Sequence, residues 1–331
     1  MKNGKESTMT AKSTPVSNTE VLTDAEVLEY FNSLSNWGRW GEDDRTGTLN
    51  LITPAVRAAA GTLIDSGVPV SLSRTIDPAD PDPLGSGLAV VQRFMGLNEV
   101  EHMKGEPHRV EGHTEYVGIS AHGSNTHIDG LAHYSFDGKN YNGFAASETT
   151  ALAGAKKLSM KDAEHGMVTR GVLLDIAALH DVDWLPASHP IMPEDLDAAA
   201  ERQGVEVRPG DALLFHTGNV ARILANGPDP ADMQPGLHAR CLPWLRAHDI
   251  SVLGSDAIQD VQPSGLESFD LFRPIHTVGL VALGLWLIDN MELTELAAKC
   301  REFDRWEFFF AALPWRFAGV TSSASNPVAV F

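Results

Sequence analysis

His122-Gly-Ser-Asn-Thr-His127-Ile-Asp129-Gly-Leu-Ala-His133 is the stretch around which the chain is organised. Three imidazoles and one carboxylate fall within these twelve residues, whereas the chain's other histidines are scattered. Neutral imidazole and carboxylate are the side chains that hold a divalent transition metal through nitrogen and oxygen. We therefore interpret the rest of the protein as a scaffold for a site at this stretch.

The spacing within the stretch decides which side chains can share an ion. Residues i and i+2 of a strand project to the same face, so His127 and Asp129 can converge. His133 lies four residues further on, within reach if the chain turns between them. His122 joins only if Gly123-Ser-Asn bulges or loops, because a regular strand would place it on the opposite face. The alternative is a set of hydrogen-bonded polar residues at a strand end, but so many ligand-type residues favour a metal site.

The amino-acid composition limits which classes of protein this chain can belong to. The chain has 331 residues, 43% hydrophobic and 21% charged, which is ordinary for a soluble globular protein with a substantial core. Its net charge of −19 argues against nucleic acid or an anionic membrane as partner, because phosphate groups require clustered cations. We find no secretory signal and no apolar run of membrane-spanning length. We expect a cytoplasmic protein.

The cysteine count and the motifs that are missing narrow the chemistry further. Cys241 and Cys300 are too few for a disulfide framework, and two reduced thiols are expected, with a single disulfide left open. The sequence contains no glycine-rich nucleotide-binding turn and no Gly-x-Ser-x-Gly nucleophile elbow. The His/Asp stretch is therefore the best-supported centre for chemistry.

The pattern along the chain predicts an α/β class, since short apolar runs alternate with capped amphipathic runs. Residues 1–20 are polar and aperiodic, so we expect a disordered tail before one domain at 21–331. The predicted helices are 25–34, 53–64, 193–203, 237–248 and 293–299. The predicted strands are 68–72, 88–94, 115–121, 168–176, 212–216, 250–254 and 306–313, followed by a C-terminal coil. Residues 96–113 are predicted to form a mobile loop with exposed histidines, His102, His108 and His113.

The opening stretch resembles the signature of the cyclase / kynurenine formamidase-like family of metal-dependent hydrolases, His-x-Gly-Thr-His-x-Asp-x-Pro-x-His. In register with it are Thr126, His127, Asp129 and His133. Leu131 stands in place of the family's proline, Asn125 in place of its glycine, and the first histidine is displaced by one residue to His122. Long, isatin hydrolase-like members are similar to the chain elsewhere too, at 40–50, 170–175, 209–211, 254–256 and 274–276.

The resemblance implies a swivelling β/β/α-type fold with a mixed sheet core and flanking helices, assembled as a homodimer or homotetramer. It also implies that His122, His127 and Asp129 hold a first ion, Zn²⁺ or Mn²⁺. His133 would be the general acid/base beside the metal-bound water, or a peripheral ligand.

A second ion is left open by the resemblance. In two-metal relatives a downstream histidine and glutamate hold it together with the bridging aspartate. His276 matches that histidine, whereas Asp289, with its shorter reach, stands in place of the glutamate. His276 could instead cap a helix or bind substrate.

These implied roles describe metal-assisted hydrolysis. The ion lowers the pKa of bound water to about 7, and His133 passes the water proton to the leaving nitrogen or oxygen. The expected substrate is a small aromatic or cyclic molecule, an aryl formamide or a cyclic amide such as isatin. The alternatives are a metal-dependent lactone or carbamate hydrolase, and a protein that binds metal or ligand without turnover. Aromatic residues that could wall its pocket are Trp37, Trp40, Phe94, Tyr134 and Phe136.

Overall fold

Fifteen strands run through the computed structural model, which describes residues 22–87, 91–96, 113–229 and 233–331. In chain order they are β1 (Pro69–Ser71), β2 (Val91–Gly96), β3 (Thr114–Ile119), β4 (His127–Asp129), β5 (Thr149–Thr150), β6 (Gly154–Ala155), β7 (Met167–Asp175), β8 (Pro190–Ile191), β9 (Ala212–His216), β10 (Gly236–Leu237), β11 (Val252–Ser255), β12 (Trp286–Asp289), β13 (Glu307–Ala312), β14 (Ser322–Ala324) and β15 (Val328–Val330). Nine of them form one sheet in the order β1-β15-β13-β7-β9-β11-β12-β4-β14.

Helices flank this sheet. They are α1 (Asp24–Ser33), α2 (Pro54–Gly61), α3 (Ile176–Leu179), α4 (Pro193–Gln203), α5 (Asn219–Asn226), α6 (Cys241–Ala247), α7 (Pro274–Val278) and α8 (Thr294–Phe303). Short 3₁₀ turns occupy Gly47–Leu51, Tyr141–Gly143, Ala146–Glu148, Met160–Ala163 and Phe269–Leu271, and a π-helical turn occupies Gly279–Leu283. The mixed sheet with flanking helices confirms the predicted α/β class.

Four adjacent strands, β7, β9, β11 and β12, run parallel. The last three are buried along their whole length, as expected for parallel strands covered on both faces. The carboxyl ends of these four strands meet at one edge of the sheet. The residues at or directly after these ends are Asp175, His216, Asp256 and Asp289. Polar chemistry is therefore concentrated at this edge.

One buried ion pair at this edge does not touch the candidate site. His216 Nδ1 lies 2.9 Å from Asp175 Oδ1, and both side chains are buried. Burial opposes the charge on His216, but the hydrogen bond to Asp175 and the nearby carboxylates raise its pKa above the ordinary value. Burial alone would raise the pKa of Asp175, yet His216 lowers it below its ordinary value. Both shifts favour the charged pair.

Two details of the predicted elements are wrong. The chain after β13 is not coil, because β14 pairs with β4, and β15 pairs with β1 and β13. The helix predicted from residue 237 begins at Cys241, since Leu237 belongs to β10. The strand predicted at 115–121 is found as β3, which pairs with β2 outside the main sheet.

Other predicted elements are confirmed or lie outside the description. The helix at 193–203 is found with those bounds, and the helix predicted at 25–34 is found as α1, capped by Thr23, whose hydroxyl accepts a hydrogen bond from Glu26 N. The tail at 1–20 lies outside the described residues, as does the predicted loop over 97–112 with His102 and His108. His113 is exposed, as predicted.

Candidate metal centre

The candidate site is built where β4 lies antiparallel between β12 and β14. The register places His127 opposite Asp289 and Asp129 opposite both Leu287 and Ser322. His127 and Asp129 project to one face of β4, and Ile128 between them is fully buried on the other. The predicted i, i+2 geometry is thus present in the structure.

Asp129 is at the centre of a cluster of imidazoles. Its Oδ1 lies 3.2 Å from His122 Nε2 and 3.7 Å from His127 Nε2. Its Oδ2 lies 3.5 Å from both His133 Nε2 and His276 Nε2. All four histidines predicted from the sequence therefore reach the same carboxylate, which is itself buried.

His122 reaches this cluster because the chain bends after it. Gly123 has a positive φ of 95°, a conformation that glycine adopts without a steric cost. Asn290 Nδ2 donates a 2.6 Å hydrogen bond to the Gly123 carbonyl and holds the bend. His122 Nδ1 lies 3.1 Å from Ser322 Oγ on β14, which orients the ring. The bulge that the sequence required for His122 is present.

His127 and His276 are both oriented through Nδ1. His127 Nδ1 lies 2.7 Å from the Asn125 carbonyl oxygen, and His276 Nδ1 lies 2.5 Å from Asp260 Oδ2. An acceptor at Nδ1 holds a ring proton there, so in the neutral ring it is Nε2 that offers the lone pair. In both residues it is Nε2 that faces Asp129.

Asp260 also positions the helix that carries His276. Its carboxylate accepts hydrogen bonds from Ile275 N at 2.6 Å and His276 N at 3.3 Å, in the first turn of α7. These amides have no partner within the helix, so the carboxylate caps them. One buried carboxylate thus fixes both the start of α7 and the ring of His276.

Asp289 reaches the cluster although it is one methylene shorter than glutamate. Its Oδ2 lies 3.3 Å from His276 Nε2. Its Oδ1 accepts a 3.0 Å hydrogen bond from Gln259 Nε2, which also donates to the Ile288 carbonyl. Gln259 therefore fixes which oxygen of Asp289 faces His276.

The electrostatics of the cluster favour ionised carboxylates. Burial alone would raise the pKa of Asp129, but the surrounding imidazoles, His133 and His127 foremost, hold it well below its ordinary value. Burial likewise opposes the charge on His276, yet Asp289, Asp129 and Asp260 raise its pKa well above the ordinary value. The ionised carboxylates of the cluster therefore attract a proton or another cation.

His133 differs from the other histidines of the cluster. Burial lowers its pKa to about 4, against the opposing effect of Asp129, so it is neutral at pH 7. Its side chain is 22% exposed and stacks on His122, with ring centroids 4.3 Å apart. It lies at the cavity wall, and it belongs to neither of the two compact ligand groups described below.

A cavity of about 640 Å³ opens over the cluster. Of the five aromatic residues predicted to wall the pocket, Tyr134 lines this cavity in the described part of the chain. Phe136 instead stacks on Phe31, and Trp37 Nε1 donates to the Val281 carbonyl in an ordered loop. Apolar lining comes from Leu84, Ile223, Pro228, Met233 and Ile258.

Four residues of the site were missed by the sequence reasoning. Asp260, Gln259 and Ser322 hold ligand-type residues from distant positions, and no local spacing marks them. Arg273 also lines the cavity, and its place directly before Pro-Ile-His276 was a signal that could have been used.

Two groups of donors are close enough to share an ion: His122, His127 and Asp129, and Asp129, His276 and Asp289. Within each group the ligand atoms lie within 4.8 Å of one another. Among the described residues, Asp129 Oδ1 is buried without a hydrogen-bond partner, which is costly unless a cation satisfies it. The fold and these donors define an α/β protein with a site suited to a divalent metal.

The family follows from comparison with known proteins. The family model described as "Putative cyclase" matches residues 58–259, and the chain belongs to this cyclase family. The resemblance seen in the sequence is therefore confirmed. The match includes His122, His127, Asp129 and His133, and ends before His276 and Asp289.

Solved structures agree on the fold. A crystal structure described as that of a novel cyclase is 28% identical, with a TM-score of 0.80, covering 90% of this chain and 100% of that chain. Isatin hydrolase A from Ralstonia solanacearum is 20% identical, with a TM-score of 0.55 and coverage of 84% and 98%. Isatin hydrolase A from Labrenzia aggregata is 16% identical, with a TM-score of 0.54 and coverage of 85% and 98%.

Two further comparisons bear on the remaining expectations. No protein with a curated function matches the chain significantly. Within the described residues, no helix combines the length and apolar character needed to cross a membrane.

Proposed function

We propose that this chain is a metal-dependent hydrolase that opens or cleaves an amide or cyclic amide, such as an aryl formamide or an isatin-like ring. The observation that carries the proposal is the convergence of His122, His127, His133 and His276 on the buried Asp129 beneath a cavity. The structural likeness to isatin hydrolases concerns the fold, and the substrate class is our proposal.

The metal would be held first by His122, His127 and Asp129, and a second ion by Asp129, His276 and Asp289. Imidazole with carboxylate suits Zn²⁺ and is compatible with Mn²⁺. The partnerless Oδ1 of Asp129 supports this assignment, because it is a buried acceptor that the Nε2 atoms of His122 and His127 also face. A divalent ion bound there supplies a water whose pKa is near 7 and polarises the substrate carbonyl.

His133 carries the proton in this proposal. Burial lowers its pKa, so the ring is neutral at pH 7 and one of its nitrogens carries a lone pair. Nε2 is the accepting atom, because it lies 3.5 Å from Asp129 Oδ2, whose charge stabilises the imidazolium that forms. His133 then returns the proton to the leaving nitrogen.

The remaining cavity residues bind and orient the substrate. Ile223 and Ile258 present apolar side chains that exclude water around a ring. Tyr134 packs edge-on against His133, with ring centroids 4.8 Å apart, and offers an aromatic wall beside the proton carrier. A small aromatic or cyclic amide would contact both the two isoleucine side chains and the Tyr134 ring.

Removal and replacement of the metal tests the proposal. Protein stripped with a chelator is assayed on formanilide, isatin, an aryl lactone and an aryl carbamate, before and after addition of Zn²⁺ or Mn²⁺. We expect amide hydrolysis to fall at least about 100-fold on chelation and to return with metal. Equal rates in stripped and reloaded protein contradict the mechanism, and faster hydrolysis of the lactone or carbamate favours those reactions instead.

The variant His133→Ala separates catalysis from binding. We expect kcat to fall about 10²- to 10⁴-fold while the bound metal content is unchanged. His180→Ala is the control, because His180 is an exposed histidine whose Nε2 lies 3.4 Å from Asp195 Oδ1, outside the cavity. Unchanged kcat in His133→Ala contradicts the role, and a protein that only binds metal has no turnover to lose. Assembly as a homodimer or homotetramer and a cytoplasmic location stay predictions.

A further inference from the structure

A guanidinium group lies in the cavity beside the candidate metal centre. Arg273 lines the cavity together with Tyr134, His276 and Asp289, and it directly precedes α7. The carbonyl of Arg273 accepts hydrogen bonds from Thr277 N at 2.9 Å and Thr277 Oγ1 at 2.8 Å. The backbone that carries the guanidinium is therefore fixed by the first turn of α7.

The charge of Arg273 is not neutralised by an ion pair. Within the described part of the chain, no carboxylate oxygen lies within 4.0 Å of its nitrogens, and its buried Nε has no hydrogen-bond partner. Arg222 at the neighbouring rim provides a contrast, because Asp229 and Asn219 bind its terminal nitrogens. The Arg273 side chain is only partly buried, but its Nε is buried without an acceptor, which is costly, so a ligand that supplies an acceptor is expected.

The nearest acids cannot meet this need because they are already engaged. Asp260 accepts hydrogen bonds from Ile275 N and His276, and Asp289 accepts one from Gln259 and faces His276. Burial works against the charge on Arg273, but Tyr134, Asp289 and Asp260 raise its pKa above the ordinary value. The cavity therefore contains a permanent cation whose near partners are the Tyr134 side chain and the Phe272 ring, 5.4 Å from the guanidinium carbon, and not a carboxylate.

We propose that Arg273 binds a carboxylate of the substrate, which makes the preferred substrate an aryl amide or cyclic amide that bears a second, anionic group. The inference rests on the proposed function and specifies its substrate class. A planar guanidinium matches a carboxylate through two parallel hydrogen bonds, a geometry that lysine cannot reproduce. The apolar side chains of Ile223 and Ile258 bury the ring that joins this carboxylate to the scissile amide.

The kinetic test compares ortho-, meta- and para-carboxylated formanilides with unsubstituted formanilide. We expect the metal-loaded protein to prefer at least one carboxylated isomer in kcat/KM by about 10- to 150-fold. Arg273→Met should abolish most of this preference, mainly through KM, and Arg273→Lys should restore part of it. Arg208→Met is the matched control, because it removes a 60% exposed arginine side chain outside the cavity and should leave the preference unchanged.

A binding test does not depend on hydrolysis. Titration calorimetry with benzoate and with benzamide compares two ligands of the same shape that differ in charge. In Arg273→Met we expect benzoate affinity to fall at least tenfold, whereas the benzamide affinity changes less than threefold. Failure of every formanilide to react would reject the proposed hydrolysis, and the benzoate result would still decide the role of Arg273. Equal loss of kcat/KM for charged and neutral formanilides, or unchanged benzoate affinity, would overturn the inference.

Discussion

Replacing Asp260 by asparagine tests how the second group of donors is organised. Asp260 Oδ2 lies 2.5 Å from His276 Nδ1, and its two oxygens also accept from Ile275 N and His276 N. Asparagine has nearly the same shape but only one acceptor oxygen, so its NH₂ must face either a helix amide or the imidazole. If the NH₂ group faces the imidazole, His276 has to move its proton to Nε2, the atom that faces Asp129 and Asp289.

The expected magnitude follows from this geometry. Replacement of a carboxylate that orients a ligating histidine costs about 10- to 100-fold in metal affinity, or about 1.4–2.7 kcal/mol. The loss should fall on an ion held by Asp129, His276 and Asp289, since His127 is oriented independently by the Asn125 carbonyl. We expect the affinity of an ion held with His127 to change less than about threefold.

Competition titrations with a chromophoric chelator and Zn²⁺ or Mn²⁺ provide the measurement. Asp256→Asn is the matched control, because Asp256 is an equally buried aspartate that accepts from Thr217 N and Oγ1 and contacts none of the donors. Both variants should lose stability, and Asp260→Asn alone should lose metal affinity. If Asp260→Asn binds every ion as tightly as the wild type, the reasoning about His276 is refuted.

Two further predictions concern stability. The charged pair of His216 and Asp175 should stabilise the fold fully between about pH 4 and pH 6.5, and lose its effect as the pH rises through the raised pKa of His216 or falls through the lowered pKa of Asp175. The difference in unfolding free energy between wild type and His216→Gln should therefore shrink from pH 6 to about pH 9, and a constant difference contradicts the pairing. Gly284→Ala should cost about 2–4 kcal/mol in chemical denaturation, because a Cβ there meets the Tyr141 ring at 2.4 Å in addition to a positive φ. Gly204→Ala has the same positive φ with open space and should cost only about 1 kcal/mol, and equal costs refute the role of the clash.

Much of the fold could be predicted from local sequence because the decisive signals are local. Pro193 at the first position of α4 and Gly204 in a left-handed cap after Gln203 mark both ends of that helix. The apolar run of β9 is short, fully buried and bounded by Pro209-Gly, as expected for a parallel strand. β14 escaped prediction because Ser322–Ala324 has no apolar pattern, and only its pairing with β4 makes it a strand.

The candidate site also contains some residues that local sequence predicts and others that it does not. His127 and Asp129 could be paired from their spacing alone, because the period of a strand is local. His276 and Asp289 could be added only through the family resemblance, since sequence separation hides the register that puts β12 beside β4. Asp260 had no such guide, because its role depends on hydrogen bonds that exist only in the folded structure. Arg273 stands beside the Pro-Ile-His276 match, but its unmet Nε is visible only in the folded structure.

The position of the site has a thermodynamic consequence. Asp129 belongs to β4, whereas His276 and Asp289 belong to α7 and β12, so the donors join segments that are distant in the chain. An ion shared by these donors binds the paired strands and not the unfolded chain, so it stabilises the fold by RT ln(1 + [metal]/Kd). At a metal concentration about 100 times Kd this amounts to about 2.7 kcal/mol.

Without the ion, four imidazoles and two carboxylates remain packed together with a buried acceptor unmet, and that arrangement is costly for the fold to maintain. The cluster is therefore better explained as a site that the fold preserves for a ligand than as a device for stability.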